Sequence, residues 1–250
     1  MLKVLLKKQM TEIFRSYFYD AKKNRARSRL ATALYIVLFA VLIVGVLGGM
    51  FGYLSYALCA PLTAVGMDWL YFAVMGLLAV LFGAFGSVFN TYAGLYLAKD
   101  NDLLLSMPIP VRTVMTARLL GVYLMGLMYS GIVALSAVVV YAFTAPVTAG
   151  AAVGALVYVV MISIFVLTLS CALGWVVAKI SLRLKRKSFI TVIISVVLFA
   201  LYYFVYYRAQ TVISDLIANA SVYGGKIKGA AYPVYLFGRM ATGDVVALLS

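Results

Sequence analysis

The stretch LATALYIVLFAVLIVGVLGGMFGYLSYALCAPLTAVGM, residues 30–67, holds no charged residue. An α-helix rises about 1.5 Å per residue, so about 20 apolar residues cross the hydrocarbon core of a bilayer. A complete membrane span therefore lies inside this run, placed at about 32–58 by its apolar residues. The backbone of a span must satisfy its own hydrogen bonds in lipid, which leaves the helix as its form. The expected fold class is all-α: a polytopic transmembrane helix bundle.

Outward from that run the pattern repeats. Asp68 is the next charge, followed by Trp69 and Tyr71, an aromatic pair suited to the membrane interface. The chain is then charge-free to Ala98. A second span over about 69–98 would be roughly 45 Å long, so its last turns should project beyond the hydrocarbon. Further spans are expected at about 119–143, 153–178 and 188–206. Asn90 is a polar residue within the second. Together residues 30–207 read as a transmembrane domain of five spans. Residues 208–250 read as an external segment, with a short amphipathic helix over 211–220 and, from Val245 to Ser250, the opening of a sixth apolar run.

Composition agrees. The chain is 66% hydrophobic and only 11% charged, with a mean hydropathy of +1.07; a soluble domain is about a quarter charged. The net charge of +14 comes from 21 Lys+Arg against 7 Asp+Glu, and its distribution explains it. Nine bases lie in residues 1–29, three at Lys99, Arg112 and Arg118, and five in 179–187, while the loops at 59–67 and 144–152 have none. Lys and Arg collect on the cytoplasmic side of membrane proteins. The basicity thus reads as topology rather than nucleic-acid binding. It predicts a multi-pass protein of the cell membrane with a cytoplasmic N-terminus.

Residues 1–29 read as a cytoplasmic amphipathic helix and a basic linker. Leu2, Leu6, Met10, Ile13 and Tyr17 recur at steps of three or four, one helical face that would lie at headgroup level. Lys22, Lys23, Arg25, Arg27 and Arg29 would then meet the anionic membrane surface. In the first span, Gly45, Gly48, Gly49 and Gly52 form two interleaved GxxxG patterns, the signal of a helix-packing face.

Catalytic chemistry finds no foothold. There is no histidine, which removes the commonest general base and neutral metal ligand. Cys59 and Cys171 have no metal spacing and read as small apolar filler. The five expected spans contain no Asp, Glu, Lys or Arg, and Ser87, Ser136 and Ser163 have no partner base. No GxxxxGK[ST] motif is present. No catalytic, cofactor or metal residue is expected, and any ATP-driven function would draw its energy from another polypeptide. Proton-coupled carriers usually keep an ionisable group at depth, so that mechanism is disfavoured too. Uncharged spans rich in Tyr, Phe and Met suit a lipid-like or amphipathic peptide cargo better than an ion.

The most informative connection is Lys99-Asp100-Asn101-Asp102-Leu103-Leu104-Leu105-Ser106-Met107-Pro108-Ile109-Pro110-Val111-Arg112. Acids followed by an apolar triplet make a short amphipathic helix, and the prolines stop it. With the basic amphipathic N-terminal helix, Arg118 opening the third span, and the later Tyr232-Pro233-Val234-Tyr235-Leu236-Phe237-Gly238-Arg239, this stretch resembles the permease subunits of type-2 ATP-binding-cassette exporters. The likeness covers essentially the whole chain. It implies that Asp100, Asp102, Leu103, Leu104, Leu105, Pro108 and Arg112 form a coupling helix that docks on a separate ATP-binding subunit. It also implies a second transmembrane half or a homodimer, and surface or partly re-entrant external helices over 208–232. Two other classes stay open: a secondary transporter not driven by ATP, and a non-transporting membrane scaffold.

Overall fold

The computed structural model describes residues 5–8, 11, 19–20, 25–26, 28–96, 110–145, 149–183, 196, 200, 203–204, 207–208, 211 and 214–244. The fold is an all-α bundle. Among the described residues four helices, Leu30–Ala64, Asp68–Tyr96, Val111–Thr144 and Ala149–Ile180, are long and apolar enough to cross a membrane. The chain is thus a multi-pass membrane protein. The fifth expected span, 188–206, lies almost wholly outside the described residues.

The first span comprises α1 (Arg29–Leu42), a π-helical turn at Ile43–Leu47 and α2 (Gly48–Ala64). Ser28 caps it, its hydroxyl accepting from the Ala31 N–H at 3.3 Å. The helix runs past its expected end near 58, through Pro61 to Ala64. Proline is tolerated there because it removes only one hydrogen bond, in the penultimate turn. Gly66, at φ +71°, ends the helix. Its N–H bonds Thr63 O at 3.0 Å and the Met67 N–H bonds Leu62 O at 2.9 Å, a Schellman closure that needs a left-handed residue. Two residues later α3 (Asp68–Thr91) starts back antiparallel. It continues through a second π-helical turn, Tyr92–Tyr96.

Pro110 sits at the N-cap of α4 (Val111–Thr144). The third helix thus begins before its expected start and includes both Arg112 and Arg118. α5 (Ala149–Arg183) returns beside it. The bundle's two ends differ in charge. Arg112, Arg118 and Lys179 lie at the end where α4 starts and α5 finishes, called here the basic end. Asp68, Thr144 and Gly150 lie at the opposite end.

α3 is the hub, packed along α4 and α5 and on the short α7 (Tyr232–Ala241). α6 (Ala220–Ala230) precedes α7, and residues 214–218 are helical as well. α7 lies across the opposite end. A Cβ at Gly238 would collide with the carbonyl of Trp69, and one at Gly154 with the carbonyl of Met240. Phe237 reaches inward to Tyr158, ring centroids 5.3 Å apart. The outside of the bundle carries large exposed apolar side chains, among them Leu34, Val41, Leu81, Phe85, Leu135 and Leu156, as a surface solvated by lipid tails requires.

Little of residues 1–29 is described. Residues 5–8 are helical. Tyr19–Asp20 and Arg25–Ala26 pair as a two-residue antiparallel ladder. Leu2, Met10, Ile13, Tyr17, Lys22, Lys23 and Arg27 lie outside the described residues, and Arg29 is the first residue of α1.

Candidate functional site: polar seams inside the bundle

The expected coupling contact falls mostly outside the described residues: Asp100, Asp102, Leu103, Leu104, Leu105 and Pro108 are not among them. Arg112 is described and stands exposed on the first turn of α4, at the basic end.

The glycine stripe of the first span meets no other helix among the described residues. An added Cβ at Gly45, Gly49 or Gly52 would meet nothing within 4 Å, and at Gly48 only Val44 of its own helix. The close approaches lie elsewhere. At Gly83 an added Cβ would stand 2.7 Å from the Ser130 Cβ and 2.9 Å from the Val166 Cγ2. At Gly126 it would stand 3.0 Å from the Val166 Cγ1. Ala79, Gly83, Ser87 and Thr91 are all buried on one stripe of α3, facing Gly126, Ser130 and Ala134 of α4. This is a small-residue ladder at four-residue spacing. That spacing is visible in the sequence, which does not by itself say which of its small-residue stripes meets a partner.

Polar pairs join the helices along these faces. At the opposite end, the Tyr71 hydroxyl donates to Ala137 O at 2.8 Å. Its single proton is thereby used, so the Ser55 hydroxyl donates to Tyr71 in their short contact. Thr144 donates to Val140 O, which leaves the Cys59 thiol as donor to Thr144 Oγ1 at 3.0 Å. Tyr141 donates to Asp68 Oδ2 at 3.2 Å. The other Asp68 oxygen is buried and accepts no hydrogen bond among the described residues. Deeper, the Tyr158 hydroxyl donates to Phe72 O at 2.8 Å, tying α5 to α3. Near the basic end, Ser87 donates to Gly83 O at 2.7 Å and so receives the Ser170 proton at 2.6 Å. Tyr96 donates to Cys171 O at 3.0 Å.

The serines considered as nucleophiles thus bond to helix carbonyls and hydroxyls: Ser87 as above, Ser136 to Ile132 O, and Ser163 to Val160 O and the Tyr123 hydroxyl. Among the described residues no three His, Cys, Asp or Glu side chains gather as a metal-ligand set. Asn90 is exposed on α3 rather than bonded across a helix contact.

The helices begin before the expected span starts and enclose Asp68 and Arg118. In the sequence Arg118 reads as the residue that opens the third span. The structure places it on the buried stripe with Val114, Ala117, Gly121, Val122 and Met125, 7% exposed. Charge ended the hydropathy window there, whereas helix geometry carried the residue inward.

Comparison with known proteins adds no relative: no family model matches the chain, and no curated protein and no solved structure matches it.

Proposed function

We propose that the chain is the membrane-spanning permease subunit of an ATP-driven exporter of the type-2 ATP-binding-cassette class. In this reading it resides in the cell membrane, with its N-terminus and basic end in the cytoplasm. The positive-inside bias supports that orientation.

The observation that carries the reading is the pair of helices flanking residues 97–110. The span Asp68–Tyr96 has 29 residues and α4 has 34, or about 44 and 51 Å of helix. Both exceed the hydrocarbon thickness of about 30 Å. They are also the most extensively packed pair in the bundle, interlocked at Gly83 and Gly126. A force applied to their connection at the basic end would move two stiff, coupled rods, and through Tyr71 and Tyr141 it would reach the opposite end. A lever of this kind suits a subunit that receives mechanical work from a separate ATPase.

The test is co-purification of the full chain with an ATP-binding-cassette ATPase, with and without Leu104→Asp. The substitution is expected to abolish association and ATP-dependent export. If both persist, the coupling assignment is wrong.

A carrier driven by an ion gradient is the second reading. It gains from Asp68, the first residue of the second span, whose carboxylate has one buried oxygen that accepts no hydrogen bond among the described residues. Transport that survives ATP depletion and follows an imposed ion gradient would select it.

A further inference from the structure

Arg118 lies on the inner stripe of α4 and is 93% buried by the bundle, its exposure being 7%. Among the described residues no carboxylate pairs with it and no carbonyl accepts from it. The acids whose side chains are described lie elsewhere. Asp68 is bound by Tyr141, Asp244 pairs with Arg239, and Asp215 is exposed on residues 214–218. All three belong to the opposite end. The unbonded guanidinium nitrogens of Arg118 are not fully enclosed, so the fork keeps a narrow opening; a largely buried cation without a counter-charge is costly, and arginine does not relieve that cost by losing its proton.

Depth narrows the choice of partner. α4 exceeds the hydrocarbon core by about 20 Å, or roughly 10 Å at each end if centred. Arg118 is seven residues along the helix, also about 10 Å from its start. Helical side chains lean toward the N-terminus, which for α4 points toward the basic end. The guanidinium therefore lies where hydrocarbon gives way to phosphate. The aromatic belt marks the same level. By the antiparallel register fixed at Gly83–Ser130 and Gly126–Val166, Arg118 stands level with the π-helical turn Tyr92–Tyr96 and with Gly174. Next to Gly174 is the exposed Trp175, with the Lys179 ammonium 4.9 Å from its ring centroid; interfacial Trp and Tyr cluster at headgroup depth. The nearby hydroxyls already donate, Thr91 to Ser87 O and Tyr96 to Cys171 O. Among the described residues on the inner stripe at this level, Arg118 offers a planar fork of donors, the geometry that grips a phosphate through two oxygens.

We propose that Arg118 is the binding site for the phosphate of an anionic phospholipid drawn from the leaflet at the basic end. The shared chemistry is a phosphate oxyanion, and the lipid is its source because the guanidinium sits at lipid-phosphate depth. The inference does not depend on the ATPase partner.

The experiment is native mass spectrometry of the full chain released from detergent, counting retained phosphatidylglycerol, with phosphatidylcholine and inorganic phosphate as separate probes. Wild type is expected to retain one tightly held phosphatidylglycerol. Arg118→Gln should weaken retention about tenfold or more, the loss of a charge-assisted pair, and Arg118→Lys should fall between, since an ammonium lacks the fork. The Lys variant keeps the test decisive if the Gln variant fails to fold. Asp100→Asn with Asp102→Asn should leave retention unchanged. Equal retention by wild type and both Arg118 variants overturns the proposal. So does lipid binding that emerges only when Asp100 and Asp102 are neutralised, because the chain's own carboxylate then holds the arginine. Arg118-dependent binding of inorganic phosphate that displaces the lipid overturns the lipid source.

Discussion

Two glycine-bearing stripes in neighbouring spans meet opposite fates. In the first span, Gly45, Gly49 and Gly52 look onto open space, and none of its most apolar window is buried by the rest of the chain. In the second, half of that window is buried, and Gly83 lets Ser130 and Val166 close in from two helices at once. The motif density is higher in the first span and the packing is denser in the second. Small residues permit close approach but do not summon a partner. A partner arrives where the opposing helix also offers small residues in register, as Gly126, Ser130 and Ala134 do for Ala79, Gly83, Ser87 and Thr91.

The comparison can be broken at three strengths. Gly83→Val should be the most damaging, because its branched side chain would enter space held by two other helices. A loss of about 1–3 kcal/mol is expected from overpacking, read as a lower melting temperature and loss of the monodisperse peak in detergent. Tyr71→Phe should come next, at about 1 kcal/mol. It removes the hydroxyl that ties α3 to Ala137 of α4 and accepts from Ser55 of α2, while the ring packing on Phe72 and Tyr141 survives. Gly49→Val should be nearly silent, within about 0.5 kcal/mol for the single chain. Thermal melts of all three variants side by side give the order. A melting-point loss for Gly49→Val as large as that for Gly83→Val would show the first-span stripe packed against something in the folded protein. Loss of crosslinked dimer in the membrane with an unchanged melt would identify that something as a second copy.

The first span repeats the contrast along its own length. α1 is exposed nearly all round. α2 is fixed to the bundle by Ser55, by Cys59 on Thr144, and by buried Phe51, Leu58 and Leu62. The π-helical turn at Ile43–Leu47 separates the two halves. The opposite end of the bundle is therefore the more heavily cross-tied, with α7 latched over it at Gly238 and Gly154. Among the described residues the basic end holds fewer ties, and Arg118 is buried there.

Hydropathy fixed the number of described spans and their order, because twenty or more uncharged residues have one stable form in lipid. The helix ends were less legible: the first helix continues past 58 to Ala64, and α4 starts at Val111 rather than near 119, because hydropathy marks where charge stops and not where the backbone helix begins. Which stripe of each helix faces inward depends on what the neighbouring helices present. Only the tertiary structure could therefore choose Gly83 over Gly49, expose Asn90, and turn Arg118 from a boundary marker into a buried cation. In lipid, apolar side chains cost nothing on either face, so the inside of such a bundle is decided by shape and hydrogen bonds, which a hydropathy pattern does not record.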